Sequence, residues 1–166
     1  MKYFLSGASG IRAPLVPEVA SFIDYRLLSM HKAFKGNTKT WCEVSHHKKS
    51  GMKEVMLDSG AFTAFTKGHK VSLEELTATY DDTLKKLNPK LQVWLINLDV
   101  IPGVFGKIAS PSEIAQALSD SDANFKKLRK KYGDRVLPVY HQTEAKSRLV
   151  EVCKQNWFVA AGFRQD

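Results

Sequence analysis

Short apolar runs that read as β-strands alternate along this chain with stretches of helical periodicity, and that alternation limits its fold more than any other feature. Val93 to Val100 (VWLINLDV) is apolar on both faces, as strands buried inside a parallel sheet are. Glu54 to Leu57 (EVML), Arg135 to Gln142 (RVLPVYHQ) and Trp157 to Phe163 (WFVAAGF) read as further strands. Lys2 to Leu5 (KYFL) reads as an opening strand, and an additional one is expected around Trp41 to Val44. Helical signals lie between them. From Pro17, the residues Val19, Phe22, Ile23, Leu27, Met30 and Phe34 recur at helical spacing. Ser72 and Glu75 form a capping-box pattern, and Ser110, Pro111 and Glu113 form a second with proline at the first helical position. That helix is expected to stop at Gly133, and Thr143 to Asn156 reads as the last one.

Strand and helix in strict alternation require crossover connections and hence a parallel sheet. The expected fold class is α/β and TIM (β/α)-barrel-like. A complete eight-unit barrel takes about 250 residues. The 166 residues here therefore match an open sheet or the first half of a barrel, with about five strands. Residues 1–166 read as a single domain.

Composition narrows the function classes. With 43% hydrophobic and 25% charged residues the chain suits one sizeable core, not disorder. No apolar run approaches the roughly 18 residues of a membrane span, and the opening MKYFLSGASG is too short in apolar residues for a secretory signal. Cys42 and Cys153 stand far apart and fit no metal or redox spacing. Adjacent His46 and His47 lack a third ligand at zinc spacing. A cytoplasmic protein with reduced thiols and no membrane partner is expected. The net charge of +8 favours a polyanionic partner, of which nucleic acid is the commonest, although a basic protein need not meet one. The basic residues from His31 to Lys53 read as a backbone-contacting loop, and those from Asn124 to Arg135 as the solvated end of a helix.

Parallel α/β folds place function at the C-terminal ends of their strands. Applied here, that rule collects Ser6 to Ala8, then Asp58, Ser59 and Gly60, then Asp99, then His141 and Gln142, and finally Gly162. Each also has a structural reading. Asp58 suits an Asx turn, Asp99 a turn initiator before Pro102 and Gly103, His141 a core imidazole, and Gln142 a loop start. If the strands are neighbours, two carboxylates, an imidazole and an amide converge on one pocket. Ser6 to Gly10 (SGASG) fits neither phosphate-loop pattern but offers backbone N–H groups to an anion.

These residues resemble a known family. VMLDSGAFTAF is similar to the Asp-Ser-Gly-Gly-(Phe/Tyr)-Gln signature of the tRNA-guanine transglycosylases (queuine tRNA-ribosyltransferases). INLDVIPG resembles their second aspartate strand, PVYHQ the strand ending in a purine-reading glutamine, and WFVAAGF the glycine strand end that meets the base. The run as a whole looks closest to the bacteriophage and bacterial paralogues that exchange guanine for a 7-deazaguanine in DNA.

The resemblance implies a base exchange through an oxocarbenium-like transition state, with a carboxylate nucleophile holding the sugar. It implies that Asp58 is the acid/base, that Asp99 accepts from the purine N–H donors, and that Gln142 and the backbone near Gly162 complete base recognition. Ser59 and Gly60 belong to the same motif, Phe62 or Tyr140 would stack on the extruded base, and His141 would touch phosphate or sugar. The implied partners are nucleic acid (DNA in preference to tRNA) and a 7-deazapurine base, in the host cytoplasm if phage-encoded. Thr63 and Ala61 depart from the signature. The family's late-strand nucleophilic aspartate and its zinc site have no counterpart in these residues, so no cofactor is expected. The expected activity is incomplete, requiring self-association or a complementary protein fragment. A non-catalytic nucleic-acid-binding or accessory protein of the same fold is the competing expectation.

Overall fold

The computed structural model describes residues 2–4, 6, 24–31, 42–46, 51–156 and 158–162. Its elements are β1 (Tyr25–Ser29), β2 (Glu54–Asp58), α1 (Ala61–Thr66), α2 (Leu73–Lys86), β3 (Gln92–Ile96), α3 (Pro111–Tyr132), β4 (Val136–Leu137), β5 (Val139–His141), α4 (Lys146–Gln155) and β6 (Ala160–Gly162). Parallel strands alternate with helices, so the α/β class read from the sequence is the class observed. Among the described residues no helix is long and apolar enough to cross a membrane. The chain divides into two compact units, one of residues 1–60 and 74–95, the other of residues 61–73 and 96–166.

In the first unit β1, β2 and β3 form parallel ladders, with Tyr25 opposite Glu54, Ser29 opposite Asp58, and Leu57 opposite Leu95. Their inward residues Leu28, Val55, Leu57, Val93 and Leu95 are buried, as are Leu76 and Tyr80 of α2. Tyr80 is fully buried and its hydroxyl donates to the Leu57 carbonyl at 3.1 Å, which satisfies the one polar atom it takes into the core. Burying each such side chain contributes about 1.5–3 kcal/mol. Glu54, on the outer face, accepts from Trp94 Nε1 at 2.8 Å and pairs with Lys2. Burial alone would raise the Glu54 carboxyl, but those two donors outweigh it and hold the group below its usual range.

Four expectations fail in or near this unit. Lys2 to Phe4 lies outside any strand. Residues 25–29, read as helix from the spacing of Leu27 and Met30, form β1, because pairing with β2 supplies a ladder and buries Arg26 and Leu28 on one side. The first residues of that supposed helix, 17–23, lie outside the described set. Around the proposed extra strand, Cys42 to Ser45 is helical, and Ser45 Oγ donates to the Cys42 carbonyl at 2.6 Å. β3 ends at Ile96 rather than Val100.

In the second unit α3 starts with the predicted capping box: Ser110 Oγ accepts from the Glu113 N–H while the Glu113 carboxylate accepts from the Ser110 N–H at 2.8 Å. It closes at Gly133, whose φ of 71° suits glycine and whose N–H donates to the Arg129 carbonyl. Ala117, Ser121 and Leu128 of α3 are buried, as are Val136 and Leu137 of β4 and Val152 of α4. The strand expected over residues 135–142 is split at Pro138, which has no N–H to give a ladder. On one side Leu137 accepts from the Asn97 N–H at 2.9 Å. Beyond the break β5 pairs in parallel with β6, and Pro138 accepts from the Ala160 N–H at 2.9 Å.

Candidate functional site

The polar residues of the second unit assemble around the loop that follows β3. Two side chains of α3 hold this loop. Ser121 Oγ receives the Val100 N–H at 2.8 Å, and Asn124 donates to the Leu98 carbonyl at 2.9 Å. Asn97 is buried and donates to the Ser121 carbonyl at 2.9 Å, and the Asp99 N–H turns back onto the Asn97 carbonyl at 3.1 Å. Asp99 therefore lies three residues beyond its strand yet is fixed by α3, and its side chain is only 10% exposed.

Asp99 Oδ2 meets His141 Nε2 at 2.8 Å. His141 ends β5 and pairs across the ladder with Gly162, the last residue of β6. The imidazole lies against the open face of that glycine. Next to it the Gln142 N–H donates to the Gly162 carbonyl at 3.3 Å, leaving the Gln142 side chain exposed.

Glu144 closes the turn from below. Its carboxylate accepts from the His141 N–H at 2.8 Å, its own N–H donates to the His141 carbonyl at 2.9 Å, and its carbonyl accepts from the Tyr140 hydroxyl at 3.0 Å. Arg148, one helical turn later, places Nε 3.8 Å from the other Glu144 carboxylate oxygen and pairs with Asp122 of α3.

Burial would lower the His141 pKa, but the hydrogen bond and charge of Asp99, with the added charge of Glu144, overcome that and raise it above the ordinary histidine value. The result is an imidazole held on its Nε2 edge by a carboxylate that favours its protonated form. Neither Glu144 nor Arg148 stood out from the sequence. The signal was present in the spacing: an acid three residues after a strand-ending histidine closes a turn, and an arginine four residues further reaches back to it.

In the first unit Asp58 ends β2, half-buried, and its carbonyl accepts from the Met30 N–H at 2.8 Å. Asp58 Oδ2 accepts from the Gly60 N–H at 3.2 Å, the Asx turn that was the structural reading of this residue. Ser59 is buried, and Gly60 has a φ of 75° with its Cα packed against His31. Phe62 is on α1 of the second unit and 62% exposed.

The structure thus brings together Asp99, His141, Gln142 and Gly162, while Asp58, Ser59 and Gly60 form a turn of the first unit. Of the Ser6 to Gly10 loop, residues 7–10 lie outside the described set. Among the described residues no cluster of three or more metal-ligating side chains forms, and His46 instead bonds the Lys86 carbonyl at 2.9 Å.

No protein-family model matches the chain, and no curated protein or solved structure matches it either.

Proposed function

We propose that this protein reads a purine base of nucleic acid, DNA in preference to tRNA, and serves guanine-for-7-deazaguanine exchange. In this reading the parallel β/α alternation is part of a (β/α) barrel of the transglycosylase type. One observation carries the proposal: Asp99, His141, Gln142 and Gly162, from three separate segments that each resemble the family's base-reading strands, meet within one unit.

The chemistry of the group suits a purine edge. Asp99 gives one oxygen to His141 and has a second to accept from a base N–H. The exposed Gln142 amide donates to a base carbonyl, and the net charge of +8 favours the phosphate backbone. Asp58 has the proposed proton-transfer role, with the nucleophile supplied by a partner or complementary fragment: as that carboxylate bonds the sugar and the base departs, Asp58 protonates the base, and it takes a proton from the incoming base as the sugar returns.

Equilibrium dialysis with guanine and a 7-deazaguanine tests base reading. Binding that falls about tenfold or more in Asp99→Asn, the loss of one charge-assisted hydrogen bond, is the expected result. Absence of purine binding at millimolar ligand, or equal binding by the variant, overturns it. Incorporation of labelled guanine into DNA or tRNA, by the chain alone and together with a complementary fragment that carries the nucleophilic aspartate, then tests exchange. Loss of incorporation in Asp58→Asn with purine binding retained supports the proton-transfer role. Purine binding without incorporation under any condition favours the accessory-protein reading.

A further inference from the structure

The loop that begins one residue after Asp99 is built as a compact projection. Its stem is pinched at Gly103 and Ala109, where a methyl added to Gly103 would lie 3.1 Å from the Ala109 Cβ. Gly103 and Gly106 both have positive φ, 74° and 81°, and the Lys107 N–H donates to the Val104 carbonyl at 3.0 Å to close the tip.

What this tip presents is apolar. Val104 is 62% exposed, Phe105 60% and Ile108 91%. Phe105 packs edge-to-face on Phe65 of α1, with ring centroids 6.2 Å apart and planes at 79°, so one aromatic ring is braced against a helix. Three large apolar side chains on a shaped loop form a patch of the kind that marks an interaction site.

Charge narrows the occupant. Residues 61–73 and 100–110, which supply α1 and the loop, contain Lys67, Lys70 and Lys107 and no carboxylate. Aromatic and aliphatic groups among lysines, with the carboxylates Asp99 and Glu113 confined to the ends of the loop, suit stacked bases flanked by phosphates.

We infer that Val104, Phe105 and Ile108 form a wedge that enters the base stack of a nucleic acid and opens it beside Asp99. The inference rests on the base-reading proposal and supplies what that proposal needs, a means of removing a nucleotide from its stack before its edge is read. The braced Phe105 fills the gap, while the lysines hold the backbone.

The test uses the full chain and a DNA duplex carrying 2-aminopurine, whose fluorescence rises when the base unstacks. The wild-type protein is expected to raise the signal, and Ile108→Ser and Phe105→Ser to reduce that rise about tenfold, in the range of one lost base–side-chain stack. Anisotropy at low salt should change less than about threefold, because phosphate contacts persist. Ile108 is the cleaner variant, being 91% exposed. An equal fluorescence rise in both variants, or none with the wild-type chain, overturns the wedge.

Self-association in sedimentation velocity that the same substitutions abolish would reassign the loop to contact between copies. Binding to phosphatidylserine vesicles that they abolish, without change in the duplex signal, would reassign it to a membrane surface; either result overturns the wedge. Guanine dialysis separates this inference from the base-reading proposal. Purine binding with no fluorescence rise removes the wedge alone, whereas a wedge-dependent rise without purine binding removes the base reading alone.

Discussion

Gly162 turns its unsubstituted Cα toward the imidazole of His141: a methyl group placed there would stand 2.6 Å from Nδ1 and 2.8 Å from Cε1. The ring that bonds Asp99 is thus seated on bare backbone, and glycine is required by the space it leaves rather than by its torsion angles.

Gly162→Ala should therefore push the imidazole out of reach of Asp99 Oδ2. The expected cost is about 1–3 kcal/mol in urea unfolding, the usual range for overpacking a filled site, together with weaker purine binding. A variant with unchanged stability and unchanged affinity would contradict the seating described.

The Asp99–His141 pair should make stability depend on pH. Because folding raises the His141 pKa, its contribution is complete below the unfolded histidine value of about 6.5 and disappears as pH rises through the folded value. The stability difference between the wild-type chain and Asp99→Asn should be larger near pH 5.5 than near pH 8.5. An NMR titration of the His141 ring should show a midpoint above the ordinary value that drops in Asp99→Asn. A midpoint that the substitution leaves in place would mean that Asp99 does not govern the proton.

Gly60 has a stricter constraint. At φ 75° an added Cβ would lie 2.8 Å from both the His31 Cβ and the His31 backbone nitrogen, and backbone cannot yield as a side chain can. Gly60→Ala should cost about 2 kcal/mol or more, combining the strain of positive φ with overpacking. Retention of the wild-type melting temperature would refute this.

The two thiols should differ sharply. Cys42 is buried, and burial pushes its thiol up to about 11, whereas Cys153 is exposed on α4. A disulfide reagent at neutral pH should modify Cys153 in the native chain and Cys42 only after denaturation. Rapid native labelling of both would show that the first unit opens far more readily than its packing suggests.

The alternation of elements was legible because it depends on local pattern: the helices expected after Ser72 and Ser110 begin at the next residue, the second with its capping box formed, and the strand over residues 54–57 is β2. β1 was not, since the spacing of Leu27 and Met30 fits a helical period, and only the pairing with β2 makes residues 25–29 a strand. Arg26 escaped notice for a related reason. A guanidinium reads as surface in any hydropathy pattern, yet here it is fully buried, and burial pushes its pKa down to about 10. Asp99, His141, Gln142 and Gly162 were legible through the strand-end rule, but the bond between Asp99 and His141 was not, because it depends on how α3 bends the loop after β3.

Pro138 has a consequence for motion. By ending one ladder and starting another, it divides a single extended segment into β4, whose residues are buried, and β5, whose residues are only half-buried like most of β6. Such a break uncouples the two parts as cooperative opening units, so the piece bearing His141 can open while the core around Val136 and Leu137 stays closed. Deuterium should enter the amides of residues 139–141 and 160–162 well before those of 136–137. A ligand held by Asp99 and His141 would slow the first group and leave the second unchanged, so that binding is recorded as the freezing of one small foldon.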